Sequence, residues 1–182
     1  MRAAPQRRSL AIAILFVLGF AGGMRGQNPA AIQAAEAACG PVASRFDVDV
    51  VQSPSLREAP PGSATVYVIE NAWLRRSPTV RIAMDGKWVG ATRGWTYLVL
   101  TVKPGEHHLC ISKQTRSDKF DNNVALAPLQ AQPGQTYYFQ ADAADFILPN
   151  LLMLEQINPD EARLLIAERA LAQPHAKSNV AR

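Results

Sequence analysis

The sequence predicts a mainly β protein: an antiparallel β-sandwich of about seven or eight strands with one C-terminal amphipathic helix. Three observations lead there. Short runs rich in β-branched and aromatic residues follow one another, turn pairs such as Asp85-Gly86, Pro104-Gly105 and Pro133-Gly134 separate them, and helical spacing begins only after Asn158. Strands this short cannot bury a core singly, and two stacked sheets are the simplest way for them to do so together.

Taken in order, the first strand is "RFDVDVV" at 45–51, where Phe46, Val48 and Val50 alternate with Asp47 and Asp49 as on a sheet with one dry face. A proline-rich connection, "QSPSLREAPPGSA", follows, and then the apolar run "ATVYVIE". "TVRIAMDGKWVGAT" reads as a hairpin, because Asp85-Gly86 supplies the positive φ angles of a type I′ turn. In that register Val80, Ile82 and Met84 share a face with Val89, while Arg81, Ala83 and Trp88 take the other. "WTYLVLTV", "EHHLCIS", "VALAPLQA", "QTYYFQADA" and "LLMLEQI" are the remaining strands, with "TRSDKFDNN" a polar loop among them.

The helix is "NPDEARLLIAERAL". Asn158 caps it, Pro159 suits its first position, and Asp160 and Glu161 sit at the positive end of its dipole. Ala162, Leu165, Ile166 and Arg169 line one side. Pro174 marks its exit, and residues 173–182 read as a disordered tail.

Arg2, Arg7 and Arg8 precede the apolar run 10–21, whose length suits a signal-peptide core and falls short of the roughly 20 residues of a membrane span. The expected organisation is an export signal over 1–23, with an uncleaved anchor as the alternative, a flexible tether over 24–44 and the sandwich with its helix over 45–172. The chain carries 19 basic and 15 acidic residues, and the whole excess lies in Arg2, Arg7, Arg8 and Arg25. From Gln27 onward the charges balance, which excludes a nucleic-acid-binding face built on net basicity. Membrane contact is expected only through the N-terminal segment.

Cys39 and Cys110 are the two cysteines. In an oxidising compartment an even number predicts one disulfide, and closing a loop of about 70 residues stabilises a fold by roughly 4 kcal/mol. The alternative is acylation of Cys39, since "AAC" resembles the end of a lipobox. Glu36 stands against it, three residues before the cysteine where an aliphatic side chain is wanted.

The short stretches "CGP", "ATVYVIE", "MDGKWVGAT", "VKPGEHHLCIS" and "PGQTYYFQA", in this order and spacing over roughly residues 39 to 170, resemble the bacterial envelope family known as domain of unknown function 2846. The hairpin "DGKWVG" followed by "PGEHHL" is also similar to small sandwich modules named after a Pro-Glu-Gly-Ala motif. The resemblance implies an exported β-sandwich and supplies no functional residues.

The candidate sites are few. His107 and His108 point to opposite faces of a strand, so they do not chelate one ion together, and Glu106 beside them suits a hydrogen-bonded rim. His108 shares a face with Cys110, about 7 Å away at its root, too far for a nucleophile and its base. Trp73, Trp88, Trp95, Tyr97, Tyr137 and Tyr138 suit a sandwich core better than a ligand platform. Trp88 with Arg81 and Arg93 is the candidate surface-binding patch; Arg75 and Arg76 lie near it in sequence, and Asp142 and Asp145 are a carboxylate pair whose facing sequence does not reveal. No catalytic, cofactor-binding or metal-binding residue is assigned. The expectation is a non-enzymatic envelope module that contacts an unidentified envelope protein or cell-wall component. The alternatives are a small metal-dependent hydrolase centred on His107 and His108, or an accessory lipoprotein acylated at Cys39.

Overall fold

The computed structural model describes residues 29–52, 56–71, 78–114, 124–143 and 152–177. In chain order the elements are helix α1 (Pro29–Cys39), strands β1 (Phe46–Val51), β2 (Ala64–Asn71), β3 (Thr79–Met84), β4 (Lys87–Arg93), β5 (Thr96–Val102), β6 (Gly105–Lys113), β7 (Val124–Ala131), β8 (Thr136–Asp142) and β9 (Met153–Gln156), helix α2 (Pro159–Ala167) and strand β10 (Ala170–Ala176). The expected export signal lies outside the described residues, as do Trp73, Arg75, Arg76 and Asp145.

The strands form a six-stranded sheet, β1-β10-β5-β2-β8-β9, and a four-stranded sheet, β4-β3-β6-β7. The mainly β sandwich is therefore what this chain builds. It differs from the expectation in two details: ten strands are present among the described residues, and β2 runs parallel to β8 while β10 runs parallel to β5. Parallel neighbours arise because the chain visits the other sheet between β2 and β8, so no hairpin links them.

Between the sheets, Val66 and Val68 of β2 meet Val80 and Ile82 of β3, Leu98 of β5, Leu109 and Ile111 of β6 and Phe139 of β8. The other face of β2 carries Tyr67 and Ile69, which pack with Tyr97 and Tyr138 under Ala162 and Ile166 of α2. With both faces covered, this strand reads as the unbroken apolar run "ATVYVIE" instead of alternating. Asn158 caps α2 as expected, its side chain accepting from the Glu161 amide at 2.8 Å and donating to the Glu161 carboxylate at 3.1 Å.

The type I′ turn forms, with Asp85 at φ 51° and Gly86 at φ 74°. Beyond it the register shifts: Ala83 faces Trp88 while Ile82 faces Gly90, so Val89 bulges out. Val89 is consequently exposed, correcting the expectation that it shares a face with Val80, Ile82 and Met84. Gly90 takes that place, where a Cβ would come within 2.7 Å of Leu98 Cδ2.

Both ends of the domain are more ordered than their composition suggested. The expected tether contains α1, which turns Cys39 inward after spacing Ile32, Ala35, Glu36 and Cys39 along one side. The helix ends at Ala167, short of its expected end at Leu171, and β10 takes over from Ala170 and runs into the expected disordered tail as far as Ala176, paired with β1 from Phe46–Ala176 to Val51–Leu171; residues 178–182 lie outside the described set. Pro174 is tolerated there because β5 pairs with β10 only at Ala170 and Leu171, so no ladder partner waits for its missing N–H.

Burial of α2 on the tyrosine cluster predicts that Ile166→Ala lowers unfolding free energy by about 2–4 kcal/mol in urea denaturation, whereas Leu164→Ala, at a position 63% exposed, changes it by less than about 0.5 kcal/mol.

Candidate functional site

Strand alternation sends Leu109 and Ile111 between the sheets and Cys110 and Ser112 to the outer face of β6, beside Ala83 and Arg81 of β3. There Cys110 is joined to Cys39 by a disulfide, with Cα atoms 5.3 Å apart. The expected pairing is thus found, and the bond lies beneath α1, fully buried with Ala83 and packed by Trp88 and Val124.

Three side chains, Arg81, Trp88 and Glu36, fasten the chain just after this bond. Arg81 Nη1 donates to the Val42 and Ser44 carbonyls at 2.7 and 2.9 Å, and Nη2 donates to Ser112 Oγ at 3.1 Å. Its guanidinium lies 4.4 Å from the Trp88 ring centre, and Trp88 Nε1 donates to the Pro41 carbonyl at 2.8 Å. Glu36 Oε1 accepts from the Val42 amide at 3.0 Å. Burial, helped by nearby Arg45, lowers the Arg81 guanidinium to about 10, so it remains a cation at neutral pH.

The candidate patch of Trp88, Arg81 and Arg93 is therefore corrected. Arg81 is 2% exposed and holds residues 42–44 in place of a ligand; Trp88 is half-buried against the same segment. Only Arg93, at the far end of β4, faces solvent.

The histidines separate as their strand positions require. His107 Nδ1 lies 2.7 Å from Asp85 Oδ2 and Nε2 lies 2.7 Å from the Lys103 carbonyl, whereas His108 is exposed and its backbone N–H donates to Asp85 Oδ1 at 2.9 Å. The acid that pairs with His107 is Asp85, across the hairpin, and not Glu106. Turn chemistry alone explains Asp85 in the sequence; its approach to the exposed start of β6 depends on the pairing of β3 with β6, which sets Met84 opposite Leu109. Among the described residues no three His, Cys, Asp or Glu side chains converge as metal ligands would.

A second cluster lies where β4 turns into β5. Glu70, fully buried at the end of β2, accepts from the Gly94 amide through Oε1 at 3.1 Å. Arg169 donates through Nε to the Glu70 carbonyl at 3.0 Å, and its guanidinium sits 5.9 Å from the Trp95 ring centre. The Ala170 amide donates to the Trp95 carbonyl at 3.2 Å, and Thr96 Oγ1 accepts from the Arg93 amide at 3.0 Å. The turn is thus braced from below while Trp95, 49% exposed, and Arg93 project from it. Of the other candidate aromatics, Tyr97 and Tyr138 are buried core residues and Tyr137 is half-buried against the core.

Burial pushes the Glu70 carboxyl up to about 8, against the opposing effects of the Thr92 hydroxyl, the Gly94 amide and the Arg169 charge. Thr92 is a neighbour without a full hydrogen bond, since neither its Oγ1 nor Glu70 Oε2 has a partner. A proton on Glu70 removes the cost of burying an ionised carboxylate there.

No protein-family model matches the chain, and no curated protein matches it either.

Two outcomes follow from this geometry. Arg81→Ala should cost about 2–4 kcal/mol, because it empties a buried site and leaves the half-buried Val42 and Ser44 carbonyls without their donor, while Arg93→Ala should leave thermal unfolding unchanged; scanning calorimetry of both variants checks the contrast. Glu70 is favoured in its protonated form by folding, so its contribution is complete below its ordinary value of 4.5 and is lost as pH rises through about 8. Denaturation from pH 5 to 9 should therefore show falling stability, by about 1.4 kcal/mol per pH unit at steepest from this group, and Glu70→Gln should flatten the fall.

Proposed function

We propose that this protein is an exported, non-enzymatic module of the bacterial cell envelope, which contacts an envelope protein or cell-wall component through the Arg93-Gly94-Trp95 turn. The observation that carries the reading is the buried Cys39–Cys110 disulfide, a bond that forms and persists in oxidising compartments. The leader read in the sequence and the resemblance to domain of unknown function 2846 agree with it. Among the described residues no helix is long and apolar enough to cross a membrane.

The titratable side chains support a binding role over a catalytic one. His107, Asp85, Glu70, Arg81 and Arg169 each brace a turn or a crossing segment of backbone. Trp and Arg are the side chains that most often anchor protein contacts, and a turn fixed before binding loses little conformational freedom on association. Acylation of Cys39 requires a free thiol, and in the oxidised fold that sulfur is bonded to Cys110.

The test joins localisation to binding. The full chain, produced in a bacterial host, should be recovered from the periplasmic or envelope fraction with an unacylated peptide containing Cys39 crosslinked to the Cys110 peptide in non-reducing mass spectrometry. Co-sedimentation with isolated envelopes should fall at least tenfold in the Arg93→Ala/Trp95→Ala double variant, with its core methyl signals still dispersed as in the parent. A cytoplasmic protein with reduced cysteines, or undiminished retention of the double variant, contradicts the proposal.

A further inference from the structure

The two nitrogens of His107 both face atoms that only accept hydrogen bonds: the Asp85 carboxylate and the Lys103 carbonyl, each at 2.7 Å. A neutral imidazole carries one N–H and satisfies one of them; the imidazolium satisfies both. The ring thereby ties the β3–β4 turn to the backbone leading into the β5–β6 turn. Asp85 extends the tie, since its other oxygen accepts from the His108 amide at 2.9 Å and its own amide donates to the His108 carbonyl at 3.0 Å.

The turn that Asp85 begins is also the seat of α1. A Cβ on Gly86 would stand 2.8 Å from the Ala37 carbonyl oxygen, and one on Gly40 would stand 3.2 Å from the Gly86 carbonyl oxygen and 3.0 Å from the Trp88 ring. With no room for a methyl group on either side, the Asp85-Gly86 backbone cannot shift without moving residues 37–40.

We propose that His107 is a proton-operated latch that sets how firmly the end of α1 is seated on the four-stranded sheet. When the ring is doubly protonated both hydrogen bonds hold, the turn is fixed and α1 rests on it. When the ring loses a proton, one nitrogen presents a lone pair to an acceptor, that bond breaks, and the turn and the last turn of α1 loosen while the disulfide keeps them tethered.

The surroundings favour the charged ring. The hydrogen bond to Asp85 raises the His107 value above its ordinary 6.5 despite partial burial, the Lys103 carbonyl adds to the rise, and the same contact holds Asp85 below the usual carboxylate range although burial opposes it. From β3 and β4 the titratable or charged groups near the ring are Asp85 and exposed Lys87; from β6 and its approach they are His108 and exposed Lys103 and Glu106; β7 presents uncharged Leu129 and Gln130. The sign follows: the latch is closed below pH 6.5 and opens as pH rises through the raised value.

The experiment is an NMR pH titration of the oxidised full chain, following the His107 ring and the amides of Gly86, Ala38 and Gly40. The expected result is a His107 midpoint above 6.5, with the three amides inflecting at the same pH. Asp85→Asn, which retains a carbonyl oxygen for the His108 amide, should lower that midpoint, and His107→Gln should abolish the inflection of the amides while core methyl signals stay dispersed. A midpoint at or below 6.5, amides of residues 37–40 that ignore the transition, or an unchanged midpoint in Asp85→Asn overturns the proposal.

Discussion

A covalent bond across 71 residues of chain, Cys39 to Cys110, fixes where the N-terminal segment lies on the domain. Helix α1 is short and buries few side chains of its own, and an isolated helix of this length is marginal in water. It keeps its place because the disulfide holds its last residue against β6. Once that residue is fixed, residues 40–44 cross the outer face of the four-stranded sheet within reach of Arg81 and Trp88. The guanidinium then has carbonyl partners that justify its burial, since a buried cation without them is strongly unfavourable.

Helices cover the outer faces of both sheets. The six-stranded sheet is covered outside by α2, and the four-stranded sheet by α1 and the segment after it. Each sheet therefore carries apolar residues on both faces, and Arg81 with Ser112 is the polar exception on the outer face of the four-stranded sheet. Strand ends hold the other polar clusters: His107 with Asp85 at one, Glu70 with Arg169 beneath the Arg93-Gly94-Trp95 turn at another.

Much of this was legible in the sequence, for identifiable reasons. The Asp85-Gly86 turn, the Asn158 cap and the opposite facing of His107 and His108 follow from local geometry, and local geometry is what residue types specify most directly. The outward placement of Cys110, once Leu109 and Ile111 were set inward, needed only strand alternation. What escaped depends on partners distant in sequence. "ALAQPHA" has weak strand propensity and becomes β10 because β1 and the start of β5 leave a slot for it. Arg81 looked like a solvent-facing cation because nothing local reveals that residues 42–44 arrive above it. Val89 was misplaced by a single-residue bulge, which shifts every side chain beyond it to the other face. The brace at Trp95 rests on Glu70 and Arg169, 99 positions apart in the chain, a separation no periodicity spans.

The role of the disulfide as the fastening of the whole N-terminal segment is tested most directly by urea denaturation combined with hydrogen exchange, comparing the oxidised protein with the Cys39→Ala/Cys110→Ala variant. The account predicts a loss of about 4 kcal/mol, with protection vanishing first across residues 29–44 and persisting in β2 and β6. Equal stability in the two proteins, with α1 as protected in the variant as in the oxidised chain, would contradict it.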